Sequence, residues 1–371
     1  MGRYLRVYKV LGQNFGSWIR PLGVFLLLQV RQAISAITLG LDHVFFPGHR
    51  KQEIDRPIFI IGNPRSGTTF LHRLLLGAGD MAALELWEML FPAITARKLL
   101  GGIVPRLDKL SPARYHPSDV HDTSLRGIET DDVAWFFRTM EGPFAWAYFL
   151  AWQDTWGSEL SRREFAIDSV TPREEERFFE YYEACWRRNL TVKGATRVLA
   201  KTSMLTMRLD AVLRRYPDCK LVYVVRDPVE VIPSGMSLLA SVLENGFDVW
   251  NRTKKEDQHR WLENLYQASC DMLRYFHDAY SAGRIPEHNV CIVRYEDLIN
   301  DLEPTMQRIL DFVEIKPDEA FVEEVRDQAA RQRNYTSKHG HSPTQFGLTS
   351  ERIRADLGFV YQDFKLSDTT G

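Results

Sequence analysis

The stretch from Pro57 to Leu76 constrains this chain more than any other. Pro57-Ile58-Phe59-Ile60-Ile61-Gly62 is a short apolar run bounded by Pro and Gly, which reads as a buried strand. It turns through Asn63-Pro64-Arg65-Ser66-Gly67 into Thr68–Leu76, a segment with a wide apolar helical face. Three more strand candidates follow, Arg197–Lys201, Lys220–Arg226 and Asn289–Arg294, with helical stretches such as 205–216 and 303–334 between and after them. Strands alternating with helices predict an α/β fold, a P-loop-like, doubly wound parallel sheet of about four or five strands. Residues 87–190, rich in Trp, Phe and acidic side chains, read as a large helical insertion in the same domain.

Composition narrows the function classes. Lys+Arg 47 against Asp+Glu 49 argues against broad electrostatic binding of nucleic acid, though not against a local basic pocket. The four cysteines, Cys185, Cys219, Cys270 and Cys291, are scattered with no CxxC pair. A disulfide scaffold or zinc ribbon is not expected, and a reducing, cytoplasmic setting is. Nothing resembles a flexible linker, so the expected division is an N-terminal helical segment, 1–50, and one domain, 51–371.

Residues 21–41, PLGVFLLLQVRQAISAITLGL, have the length of a membrane span but carry Arg31 near the middle. An arginine there costs roughly 2.5–3.5 kcal/mol on insertion scales. Arg3, Arg6, Lys9 and Arg20 precede the segment like a signal-anchor flank, and no small-residue cleavage site follows. Three readings stay open: a covering helix of the domain, a helix lying on a membrane, and a true span.

The turn Gly62-Asn63-Pro64-Arg65-Ser66-Gly67-Thr68-Thr69 has the GxxxxG spacing of a phosphate loop, with Thr68 where a P-loop NTPase has Lys. Backbone N–H groups of the loop and first helical turn would converge on one anion, helped by the helix dipole. Thr68 and Thr69 add hydroxyl donors, and Arg65 adds a planar cation suited to phosphate. The missing Lys argues against transfer of a γ-phosphate. No acidic Mg²⁺-ligand pair follows a strand, so no metal is expected. A second anion site is suggested by Arg226 at a strand end and Ser234 eight residues on, in Val224–Gly235. Pairing of Arg226 with Asp227 or a helix terminus is the alternative.

Together these segments resemble the sulfotransferase superfamily that uses 3′-phosphoadenosine 5′-phosphosulfate (PAPS), and within it the broad, largely bacterial group with a PRSGTT loop. The resemblance runs over about residues 57–365 and rests on IFIIGNPRSGTTFLH (58–72), RVLAKTS (197–203), YVVRDPVEVIPSG (223–235) and VRYEDLINDLEPTMQRILDFVEI (293–315). It implies that Arg65, Ser66, Gly67, Thr68 and Thr69 grip the 5′-phosphosulfate. It implies that Phe70 stacks on adenine, where a plain core Phe is the alternative. Arg226 and Ser234 would bind the 3′-phosphate, and Lys201 would lean on the bridging oxygen and sulfuryl group. Arg331, Arg333 and Lys338 are candidates to close the 3′-phosphate pocket.

The proton acceptor is not carried over so simply. The cytosolic branch has a His two residues after the lysine, where this chain has Ser203. Other branches use a Glu after the first helix, which points to Glu85 and then Glu88 in Met81–Glu88. A carboxylate in a partly desolvated cleft can take a proton near neutral pH. His72, one helical turn beyond Thr68 and Thr69, is a rival base or a packed core His. His339 and His341 are too short a pair for a metal site. Asp131 and Asp132 read as a solvated acidic turn that could meet the acceptor.

The expected reaction is in-line sulfuryl transfer from PAPS to a hydroxyl or amine. A P-loop kinase of a small metabolite and an inactive nucleotide-binding relative are the competing readings. Trp135-Phe136-Phe137 and Phe144–Phe149 would line an apolar cleft or fill the insertion's core. With the apolar N-terminal segment they tilt the acceptor towards a lipidic alcohol, with a carbohydrate close behind.

Overall fold

The computed structural model describes residues 3–107, 124–165, 171–333 and 343–366. The expected α/β class holds. Strands β1 (Ile58–Ile61), β2 (Met81–Ala82), β3 (Arg197–Lys201), β4 (Lys220–Val225) and β5 (Val290–Arg294) form one sheet in the order β2-β3-β1-β4-β5. β1 runs parallel to β3 and β4, and β4 runs parallel to β5, with Ile58 level with Leu199 and Lys220 and Leu221 level with Val290. All four residues of β1 are buried, which is why its sequence is an unbroken apolar run rather than an alternating one.

The chain divides into two compact units. One comprises Asp55–Met81, Arg197–Ser237 and Tyr266–Gly371. Its core is built from Ile58, Ile60, Val222, Val224 and Val293 of the strands. Leu71 and Leu75 of helix α3 (Thr68–Leu76) and Leu298, Ile309, Leu310 and Phe321 of later helices complete it. Gly62 ends β1 with φ 131°, and a Cβ there would stand 2.4 Å from the Val224 carbonyl oxygen. The strands approach at this point only because the residue has no side chain.

The other unit comprises Met1–Ile54, Ala82–Thr196 and Leu238–Leu265. It holds the helices of the insertion and, before β1, helices that we number α1 (Arg3–Gln13) and α2 (Arg20–Phe45). Its longest insertion helix, Pro172–Lys193, starts on a Thr171 N-cap with Glu174 closing a capping box, and stops at Gly194 in the left-handed region. Trp135 stacks on Phe178 at 4.8 Å, and Trp146 and Trp152 are wholly buried, so these tryptophans fill this unit's core. Phe136, Phe137, Phe144, Tyr148 and Phe149 remain half-buried. The acidic turn is not solvated, contrary to expectation. Asp131 and Asp132 are buried, Asp131 accepting from Trp186 Nε1 at 2.9 Å and Asp132 from Thr130 Oγ1 at 2.8 Å. Fixed donors take the place of water there.

Candidate active site

The loop between β1 and α3 is held from three sides. Gly62 N–H donates to Thr206 Oγ1 at 3.1 Å, Asn63 Nδ2 donates to the Ser269 carbonyl at 3.0 Å, and Ser66 N–H closes the turn onto the Asn63 carbonyl at 3.3 Å. Ser66 and Thr68 are buried, while Arg65, Gly67, Thr69 and Phe70 are half-buried. Phe70 packs on the edge of the unit's core. Gly67 precedes α3 with φ 90°, and a Cβ there would meet the Tyr295 ring at 2.7 Å. Arg65 also lies in the left-handed region, at φ 74°. A bulky residue held there carries local strain of order 1–3 kcal/mol.

The two anion sites inferred from sequence are joined by hydrogen bonds. Arg65 Nε donates to Ser234 Oγ at 3.1 Å, and Arg226 NH1 donates to the Arg65 carbonyl at 3.0 Å. Arg226 also grips Glu230 through Nε and NH2, at 3.0 and 2.6 Å, and its guanidinium lies 4.2 Å over the Tyr295 ring. The partner of Arg226 is therefore Glu230 rather than the neighbouring Asp227. Asp227 is buried and accepts from Val229 N–H at 2.8 Å and from the Tyr361 hydroxyl. Burial, and then the hydrogen bond to the Asp227 carboxylate and its charge, push the Tyr361 hydroxyl above the usual tyrosine range, so it stays a proton donor. Lys201 is buried at the end of β3, and its Nζ donates to Thr69 Oγ1 at 2.8 Å. Thus Arg65, Thr69, Lys201, Arg226 and Ser234 are linked in pairs around one turn, with one half-exposed carboxylate among two guanidiniums.

The candidate bases are placed as follows. His72 is fully buried, with Nε2 3.1 Å from the Leu199 carbonyl. That environment suits the packed core His, one of the two readings open for this position, rather than a base open to an acceptor. In the other unit, Glu85 caps the helix we number α4 (Leu86–Leu90), and its N–H donates to Glu88 Oε2 at 2.8 Å. Glu85 Oε2 accepts from Trp87 Nε1 at 2.8 Å, and Lys193 Nζ stands 3.8 Å from its other oxygen. Glu88 is buried against Lys193 at 3.1 Å and Arg97 at 3.4 Å, so it is committed to a structural network. Arg331 is exposed, Arg333 ends its helix, and Lys338, His339 and His341 lie outside the described residues. Among the described residues no cluster of His, Cys, Asp and Glu has metal-site geometry.

Sequence reasoning missed Tyr295 and Thr206. Tyr295 directly follows β5, so its place at a strand's carboxyl end was the available signal. Thr206 gave none, being a small polar residue in a one-turn 3₁₀ helix.

A family model for the sulfotransferase family matches residues 57–319. The chain is 24% identical over 355 residues to the omega-hydroxy-beta-dihydromenaquinone-9 sulfotransferase Stf3 of Mycobacterium bovis, across 88% of this chain and 83% of that one. The Mycobacterium tuberculosis protein of that name matches to the same degree. Sulfotransferase STF9 from Mycobacterium avium has a similar structure, with TM-score 0.67 at 17% identity over 89% of this chain and 82% of that one. STF1 from M. tuberculosis gives TM-score 0.60 at 19% identity over 96% and 91%. At those identities the two structures speak for the fold alone, whereas the family model spans most of the chain. The chain therefore belongs to the sulfotransferase family and is an enzyme of that PAPS-dependent family.

Proposed function

We propose that this enzyme moves the sulfuryl group of PAPS onto a hydroxyl of a lipidic acceptor. One observation carries the donor assignment: Arg226, Arg65 and Ser234 form a single hydrogen-bonded set beside the Lys201–Thr69 pair. Three cations and two hydroxyls around one turn suit the two separated phosphates of a 3′,5′-bisphosphate nucleotide. Arg65 and the N–H groups of Ser66, Gly67, Thr68 and Thr69 would hold the 5′-phosphosulfate, with Phe70 against the adenine. Arg226 and Ser234 would hold the 3′-phosphate, Arg226 exchanging Glu230 for it. Glu230 is 48% exposed on its side chain, so its release to water is cheap.

In the transfer, the acceptor oxygen bonds to sulfur as the sulfur–oxygen bond to the 5′-phosphate breaks, and adenosine 3′,5′-bisphosphate leaves. Lys201 and Arg65 offset the charge that builds on the leaving phosphate. The acceptor proton passes to Glu85, whose position after α3, the helix that follows the phosphate loop, resembles that of the carboxylate of other branches and whose side chain is part-exposed. The acceptor class is supported by the quinone-lipid named for the mycobacterial relatives and by the half-buried rings Phe136, Phe137, Phe144, Tyr148 and Phe149. The test is a panel of acceptors with ³⁵S-labelled PAPS. Label should appear on long-chain isoprenoid alcohols and not on sugars or amines. Label on sugars alone would overturn the acceptor class, and phosphate transfer from ATP·Mg²⁺ would overturn the donor.

A further inference from the structure

Helix α2 is built inside out. It is 26 residues long, about 39 Å at the usual rise, and it is long and apolar enough to cross a membrane by length and composition alone. Its polar side chains nevertheless face the protein. Arg31, Ser35, Thr38 and Asp42 recur at steps of four and three residues, so they share one face. Arg31 donates to the carbonyls of Leu90 and Phe137, at 2.8 and 2.6 Å, and Gln32 donates to Tyr4 and to the Arg138 carbonyl. Asp42 is wholly buried, accepting from Ile94 N–H, Thr95 N–H and Arg188. The apolar side chains face out: Leu26, Leu27, Ile37 and Val44 are each at least 65% exposed, as is Leu99 on the neighbouring helix Ile94–Leu100.

Water is a poor medium for such a face, and exposed apolar side chains aligned along one helix mark an interaction surface rather than scattered surface residues. A span is excluded by the inner face, because pulling α2 into a bilayer would strip Arg31 and Asp42 of buried partners. The charge around the helix says what covers it. Residues 1–51 hold seven Lys and Arg against one acid, Asp42, which is buried, while the whole chain has a net charge of −2. Arg6, Lys9, Arg20, Arg50 and Lys51 are exposed at the ends of α1 and α2, and Trp18, 46% exposed, stands just before α2. Basic ends, an aromatic at the boundary and an apolar face between them match an anionic lipid surface.

We infer that α2 lies in the plane of a membrane bearing anionic headgroups, its outer face in the acyl boundary and its polar face holding the protein. This does not depend on the sulfuryl-transfer reading, since vesicle binding needs no turnover. The test is flotation of the full chain with vesicles of phosphatidylcholine, alone or mixed with phosphatidylglycerol. Binding to the mixed vesicles should exceed binding to phosphatidylcholine and fall with salt. Leu26→Glu/Leu27→Glu/Ile37→Glu should cut partitioning at least tenfold with tryptophan emission unchanged, and Arg6→Glu/Lys9→Glu should remove the preference for anionic vesicles. Because all four native cysteines are buried, nitroxides can be placed one at a time along α2. Oxygen accessibility should repeat about every 3.6 residues. Absence of vesicle binding, or binding indifferent to the triple change, would overturn the inference. So would high accessibility all round the helix, the mark of a span, or a triple change that splits a dimer in a protein that never binds vesicles.

Discussion

Asp42→Asn should destabilise the helical unit severely. The Asp42 carboxylate accepts four hydrogen bonds: Ile94 N–H at 2.9 Å, Thr95 N–H at 2.8 Å, Thr95 Oγ1 at 2.8 Å and Arg188 Nε at 2.7 Å. It thereby caps the helix Ile94–Leu100 from outside and neutralises an arginine that is 3% exposed. An asparagine keeps the shape but turns an NH₂ towards donors and leaves the guanidinium uncompensated. Removing one partner of a buried ion pair costs about 3–5 kcal/mol, and that is the expected loss. Burial alone would raise the Asp42 carboxyl, but the hydrogen bonds from Thr95, Arg188 and Ile94 prevail and hold it below the usual carboxylate range. The sign follows. A folded value below the unfolded one gives stability that is present in full above the unfolded value and is lost as pH falls through the folded one. The gap between wild type and Asp42→Asn should stay constant down to about pH 4 and close below it. Urea unfolding followed by tryptophan emission is the assay, because all nine tryptophans belong to this unit. A loss under about 1 kcal/mol, or a gap unchanged at acid pH, would refute the ion-pair reasoning.

Further outcomes follow from the site. Glu85→Gln keeps an acceptor for Trp87 but cannot take a proton, so turnover should fall by about 10²–10⁴-fold with adenosine 3′,5′-bisphosphate affinity near normal. Near-full turnover with chemistry rate-limiting would remove Glu85 from the reaction. His72→Ala should act through the fold, lowering the unfolding midpoint and leaving turnover per folded molecule close to wild type. Abolished turnover in a fully folded His72→Ala protein would contradict the packing role. Gly62→Ala places a methyl against the Val224 carbonyl, and because the clashing atoms are backbone it should cost about 3 kcal/mol or more. Far-UV circular dichroism during urea unfolding would register it, and a loss below about 1 kcal/mol would mean the strands can part there.

The sequence spoke clearly where period and punctuation agree. β1, β3 and β4 are buried runs ended by Gly or a charged residue, β5 alternates between buried and half-buried residues, and each lies where the pattern put it. β2 escaped because two residues, Met81 and Ala82, carry no period. Arg31 read as a cost in an apolar helix because a linear pattern does not reveal the carbonyls of Leu90 and Phe137, more than fifty residues away. The spacing of Arg31, Ser35, Thr38 and Asp42 was there to be seen as a polar face. Asp131 and Asp132 misled for the opposite reason: two adjacent acids suggest solvent, and the donors that bury them, from Trp186 and Thr130, include one far along the chain. Arg65, Arg226 and Ser234 were legible as separate anion sites, but their hydrogen-bonded linkage belongs to the fold.

The most direct test of the donor site is calorimetric titration of wild type and Arg226→Ala with adenosine 3′,5′-bisphosphate and with adenosine 5′-phosphate. A charge-assisted hydrogen bond is worth about 1.5–3 kcal/mol, or about 10- to 150-fold in affinity. The variant should lose that much affinity for the bisphosphate and almost none for the monophosphate, which lacks the group that Arg226 is assigned to hold. Equal weakening of both ligands, or of neither, would contradict the account.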